Sequence, residues 1–286
     1  MARVLSMLAA AGALFLALQG TASAADSDRE VQRMTAFGGS CPGCSLARRK
    51  LTGAAFSGDF RGAILTDTDL RGASFTNADF GGANFIRADM RSSSFLGANF
   101  GGVNFTDAHL DGVEGAGPNF AGANLTRARF TSASLAGANF TGASLVDAKL
   151  DSADLTGTTL TGVDARRADF HDASLTGVRL NKGRFDDASF RDATLQGADM
   201  SGAVFTRADF HDASLEGVLL FGADLAGARG LEQDQLSTAC ADRATRLPPG
   251  LSARNCRGLA INVRLPKAPP APPAPPAPPR APKPPR

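Results

Sequence analysis

Ala78-Asp79-Phe80-Gly81-Gly82-Ala83-Asn84-Phe85-Ile86-Arg87-Ala88-Asp89-Met90 is the stretch that decides how this chain folds. A large apolar residue returns at every fifth position, as Phe80, Phe85 and Met90. Two residues before each stands an alanine, and between them lies Asp79, Asn84 or Asp89. A period of five matches neither a helix face, at 3.6, nor a strand, at 2. If the small and the large residue of each quintet both point inward, the chain turns a corner every five residues.

The same grammar extends in both directions. From Phe60 to Leu225 every fifth residue is Phe, Leu or Met, with Gly115 and Ala165 the only exceptions. The small slot holds Ala73, Ala78, Ala83, Ala88, Ala123, Ala128, Ala133 and Ala138, among others, and Ala123-Asn124-Leu125 repeats the pattern of Ala78-Asp79-Phe80. The composition agrees: the chain has 32 Gly and 19 Phe but neither Trp nor Tyr. At 286 residues the length alone allows one or two domains.

This grammar resembles the pentapeptide-repeat family, whose unit is written A(D/N)LXX, over 34 consecutive quintets. The resemblance implies an all-β solenoid: a right-handed, quadrilateral parallel β-helix with four short sides and 20 residues per coil. About eight coils are expected over 58–228, stacked at about 4.8 Å into a rod on the order of 40 Å long.

The outward residues test the 20-residue coil independently. Every twentieth residue from 67 reads Asp67, Arg87, Asp107, Arg127, Asp147, Arg167, Asp187, Arg207, a strict alternation of charge. Two other columns are almost all glycine, one from Gly62 to Gly222 broken only by Lys182, the other from Gly97 to Gly217. Glycine is wanted where a tight turn needs positive φ, so each column reads as one corner of the coil. Arg167-Ala168-Asp169-Phe170-His171-Asp172-Ala173-Ser174-Leu175 recurs verbatim from Arg207, which points to duplication of coils in pairs. The grammar falters at Val113 to Pro118, where Gly115 takes a large slot and Pro118 a small one, and a bulge or small loop is expected there.

Five regions follow. Residues 1–24 read as a signal peptide, with Arg3 in a basic n-region, an apolar run from Val4 to Leu18, and Ala22-Ser23-Ala24 as the cleavage site. The run is short for a bilayer span, and an uncleaved anchor is the competing reading. The chain is therefore expected in the periplasm or secreted, with no transmembrane segment after cleavage. Residues 25–57 form an N-terminal cap with the first irregular quintets, 58–228 the β-helix, 229–263 a C-terminal cap, and 264–286 a Pro-rich tail. Short helices are expected at 26–36 and 231–240, because an open solenoid end exposes unpaired backbone. The tail composition is that of polyproline II.

The chain carries a formal net charge of +2, but residues 59–228 hold 22 acidic and 14 basic side chains, a net −8. An acidic body without Trp or Tyr speaks against a nucleic-acid partner, which wants a basic face and stacking aromatics.

Export makes the four cysteines disulfide-permissive. Cys41-Pro42-Gly43-Cys44 has the spacing of a disulfide oxidoreductase, but that chemistry wants the motif at the start of a helix in a βαβ unit. Here the repeat runs back through Phe56, Leu51 and Leu46, one residue out of frame. Cys41 then takes a large slot, Cys44 a small one, and Pro42-Gly43 the corner, a favoured pair for a type II turn. Cys240 and Cys256 flank a loop containing Pro248-Pro249-Gly250. Four cysteines allow three pairings; compartment, spacing and the Pro-Gly corner point to local bridges, Cys41 with Cys44 and Cys240 with Cys256.

No catalytic, cofactor-binding or metal site is expected. His171 and His211 lie two coils apart, roughly 10 Å, too far for one metal, and His109 stands on another row. Asp172, Asp192 and Asp212 stack on one edge with Arg191 beside them to relieve the repulsion. P-loop, GxGxxG, GxSxG and HExxH motifs are absent, and sequons such as Asn124-Leu125-Thr126 are by-products of the grammar. The reading is a non-catalytic exported scaffold or interaction module whose partner is a protein or cell-envelope component. The resemblance also implies an alternative, a DNA-mimic acting on a topoisomerase such as gyrase. The signal peptide and the alternating corner weigh against it.

Overall fold

In the computed structural model the described residues are 36–256. The signal peptide, all but the last residue of the helix expected over 26–36, and the Pro-rich tail lie outside them; Ala36 itself begins a strand. From Asp59 the backbone repeats with a pitch of 20 residues: Asp59 pairs in parallel with Asp79, Asp79 with Asn99, Asn99 with Asn119, and so on to Asp209 with Arg229. Each side is too short for a strand, so each coil contributes single bridges. The Phe80 N–H donates to the Asn99 carbonyl at 2.8 Å, and the Asn99 N–H returns to the Ala78 carbonyl at 2.9 Å.

The corners follow from the quintet. The Ala83 N–H donates to the Phe80 carbonyl at 2.9 Å, closing a β-turn whose third residue, Gly82, has φ +67°. Every corner column has positive φ at this place, including the charged one, where Asp107 stands at +59° and Arg127 at +57°.

Inside, the small and large slots alternate as the grammar requires. The Phe rings stack along the axis, Phe100 on Phe120 at 5.4 Å and Phe120 on Phe140 at 4.9 Å. Offset stacking of this kind adds roughly 0.5–1.5 kcal/mol per pair to burial. From Ala63 to Leu225 nearly every inward residue is fully buried, so side chains fill the interior.

The frame slip at the N-terminal end has a clear origin. β1 (Ala36–Ser40) and β2 (Ala55–Asp59) pair in parallel over five residues, Ala36 with Ala55 through Ser40 with Asp59. This first coil is 19 residues long, as Ser45 with Ile64 and Lys50 with Asp69 also show. One residue is missing between Phe56 and Phe60, and an extended strand replaces the corner. Gly39 and Gly58 sit there at φ +117° and +109°, and a Cβ on Gly58 would lie 2.0 Å from the Gly39 carbonyl oxygen.

Two expectations need correction. The Val113–Pro118 segment makes no bulge, since Ser94 still pairs with Glu114 and Asn99 with Asn119. Gly115 lets the backbones close up instead: a Cβ there would meet the Phe95 Cβ at 3.0 Å. The helix expected over 231–240 shrinks to one 3-10 turn, Asp234–Leu236. It holds Gln235, whose side-chain amide donates to the Phe210 and Ala213 carbonyls, both at 2.9 Å. β3 (Cys240–Ala241) and β4 (Arg254–Asn255) complete this end as a small parallel pair.

Candidate functional surface

The four sides present four different faces. On the side that begins with Phe60, outward residues form an amide ladder. The Asn99 amide donates to Asp79 at 2.7 Å, Asn119 to Asn99 at 2.8 Å, and Asn139 to Asn119 at 3.1 Å. Over the four coils carrying Asn99, Asn119, Asn139 and Thr159 this face has no charge, and its neighbouring outward residues are Gly101, Ala121, Thr141 and Thr161. The side that begins with Phe75 is mixed: Ser134, Thr156, Ser174 and Thr176 face out beside Glu114, Asp154 and the exposed Leu96.

The corner after the Leu65 side carries the alternating column. Arg87, Arg127, Arg167 and Arg207 each grip the Asp one coil before with two hydrogen bonds, Arg87 to Asp67 at 2.7 and 2.9 Å, Arg127 to Asp107 at 2.6 and 2.8 Å. The Asp one coil after is felt only through charge, as Asp107 is by Arg87. Each guanidinium holds its partner's carboxyl below the ordinary aspartate range. The column is four bidentate pairs.

The side that begins with Leu70 is the charged face. Asp69, Arg71, Asp89 and Arg91 run as a strip with contacts of 2.7, 3.7 and 2.6 Å. All three histidines of the chain lie here. His109 and His211 stand apart from His171, and His211 contacts Asp209. His171 meets Asp172, with Nε2 3.2 Å from Oδ2, and Asp192, with Nδ1 3.5 Å from Oδ2. Arg191 does not relieve the aspartate column: it reaches Asp209 at 3.3 Å instead. The 20-residue pitch alone places His171 beside Asp192, one corner position and one coil away.

Both local cysteine pairs are joined, Cys41 with Cys44 and Cys240 with Cys256, at Cα separations of 5.5 and 5.3 Å. Cys41 and Cys44 cap the column of Phe60 and Ala63 and pack against the core. Gly43, at φ +70°, makes the corner.

The pentapeptide-repeat profile matches in eight copies, over residues 59–91, 83–114, 116–145, 143–181 and 184–222. This chain belongs to the pentapeptide-repeat family. The right-handed quadrilateral β-helix is the architecture of its structural neighbours. HetL from the cyanobacterium Nostoc sp. strain PCC 7120, involved in heterocyst differentiation regulation, is 26% identical, with a TM-score of 0.64 over 74% of this chain and 92% of HetL. A pentapeptide repeat protein from the Arabidopsis thaliana thylakoid lumen is 37% identical over 34% of this chain and 65% of its own, with a TM-score of 0.26. QnrB1, a plasmid-mediated fluoroquinolone resistance protein, is 16% identical over 77% of this chain and 94% of its own, with a TM-score of 0.33. Among curated proteins no match is found. Among the described residues no helix is long and apolar enough to cross a membrane.

Proposed function

We propose that this pentapeptide-repeat protein is an exported, non-catalytic scaffold that binds a protein or cell-envelope component through the outside of its coils. The observation that carries this reading is the filled interior: with the inward slots buried, a partner must sit on an outer face. The uncharged face of Asn99, Asn119, Asn139 and Thr159 costs least to desolvate, because its amides already bond to one another. The charged faces spend much of their charge on pairs within the protein. Pentapeptide-repeat proteins are generally non-catalytic scaffolds, which supports the same reading. Export rests on the sequence of residues 1–24 alone.

Photo-crosslinking in the producing cell tests it. A crosslinker at Thr141 or Thr161 is expected to trap a partner in exported material, and one at Lys149, on the charged face, to trap little. Adducts from Lys149 alone would overturn the choice of face.

The second reading, a DNA-like body acting on a topoisomerase, draws on the net −8 of residues 59–228. The bidentate pairing of Asp67, Asp107, Asp147 and Asp187 counts against it. Inhibition or protection of gyrase by the purified chain in a supercoiling assay would favour it.

A further inference from the structure

We propose that His171, Asp172 and Asp192 form a binding site for a divalent transition-metal ion, with zinc the ion best suited to it. The site is independent of the scaffold reading.

The first argument is the tautomer of His171. Its Nδ1 lies 3.1 Å from the backbone carbonyl oxygen of Arg191. A carbonyl oxygen only accepts, so Nδ1 carries the proton and donates it. In the neutral ring the lone pair then sits on Nε2. A histidine that ligates a metal is held in this way, with its other ring N–H given to a backbone carbonyl or carboxylate.

The second argument is what Nε2 faces. Asp172 Oδ2 is 3.2 Å away, and an ionised carboxylate is also only an acceptor. Two acceptors at that distance call for a cation. One donor atom from each of His171, Asp172 and Asp192 can be chosen so that all lie within 4.8 Å of one another. Asp192 Oδ2 now stands on the Nδ1 side of the ring, 3.5 Å away, so its carboxylate must swing toward Nε2 for the three donors to reach the roughly 3.4 Å spacing of ligands about 2.0–2.2 Å from a tetrahedral zinc. One imidazole and two carboxylates leave a coordination position for water, and the partial exposure of the cluster supplies it.

The third argument is charge. Among the described residues neither Asp172 nor Asp192 has a Lys or Arg within ion-pair reach, and Arg191 is engaged by Asp209. In the coils below, the same column carries Gly72, Ser92, Gly112, Ser132 and Ser152; it turns to aspartate where His171 arrives. An N/O donor set without sulfur suits zinc, with cobalt as its spectroscopic substitute.

The test is titration of the untagged, disulfide-intact mature chain, stripped of metal, with Zn²⁺ by calorimetry and with Co²⁺ by visible absorption. The expected result is one ion per chain. His171→Ala, and separately Asp192→Asn, should weaken binding by at least about tenfold, with the circular dichroism spectrum unchanged. His211→Ala and His109→Ala should bind as the parent does. Absence of one-to-one uptake would overturn the proposal and leave a proton as the cation between His171 and Asp172. Binding that survives His171→Ala, or is lost in His211→Ala, would overturn it equally.

Discussion

Thr158 occupies a small inward slot that the repeat usually gives to alanine, and it is fully buried. Its hydroxyl has no hydrogen-bond partner among the described residues. Ser93, in an equivalent slot, donates to the Leu70 carbonyl at 2.8 Å. An unsatisfied buried hydroxyl costs about 1–3 kcal/mol, so Thr158→Ala should stabilise the chain by about 1 kcal/mol, while Ser93→Ala should not. Denaturant melts of the two variants decide it; a loss of stability in Thr158→Ala would contradict the packing described. The charged corner gives a second prediction. Its residues stand in a left-handed conformation that costs a non-glycine residue about 1–2 kcal/mol, so glycine would serve better if the turn alone mattered. The alternation instead penalises slippage by one coil, which would set like charges against each other. Arg127→Asp places Asp107, the new carboxylate and Asp147 in line and should lower the melting temperature by about 2–4 °C at low salt, less at high salt. Reversing the other seven residues of the column as well, each Asp to Arg and each Arg to Asp, restores the alternation and should recover much of it. An unchanged salt dependence in the single variant would leave the column without a role in register. The column itself was legible because its period equals the coil. That every guanidinium turns to the preceding Asp was not, since the sequence places an equivalent carboxylate on both sides of Arg87, Arg127 and Arg167.

Among the elements, Val113–Pro118 shows where pattern reading fails and why. A glycine in a large slot looks like a lost core residue, but the neighbouring coil closes over Gly115 and the register survives. Gly115→Leu, which restores the consensus, should therefore destabilise by about 1–3 kcal/mol through overpacking against Phe95. A stabilised variant in thermal melts would show that the slot is an ordinary vacancy. A helix over 231–240 is expected because an open solenoid end exposes unpaired backbone. The carbonyls it must cover select a side-chain plug instead: Gln235 reaches Phe210 and Ala213 from a single turn. Thr245 does the same for the Leu220 carbonyl at 2.7 Å. The Cys240–Cys256 bridge ties this cap, and its sequence separation of 16 gives roughly 3 kcal/mol in the chain-entropy model. Cys256→Ser should lower stability by about that amount, read by unfolding with and without reductant.

For the whole molecule, acid should act through the paired carboxylates. Side-chain hydrogen bonds from Arg71 and Arg91 hold Asp69 and Asp89 below the ordinary aspartate value, and Arg61 does so for Asp59. The folded chain keeps these groups ionised to lower pH than the unfolded chain does. The stabilisation is therefore complete above the ordinary aspartate pKa, near 3.8, and fades as pH falls through the depressed values. The melting temperature should decline as pH is lowered below about 4; a rise on acidification would contradict the pairing. Coil, corners and core were legible because one short grammar fixes all three. The His171 cluster joins residues a coil and one position apart, a relation that the 20-residue pitch contains but that reading each column by itself passes over. The role of the molecule rests most on where it works. N-terminal sequencing of the protein from separated cytoplasmic, periplasmic and medium fractions is the direct measurement. The account predicts a chain beginning at Ala25 outside the cytoplasm, and a full-length chain confined to the cytoplasm would contradict it.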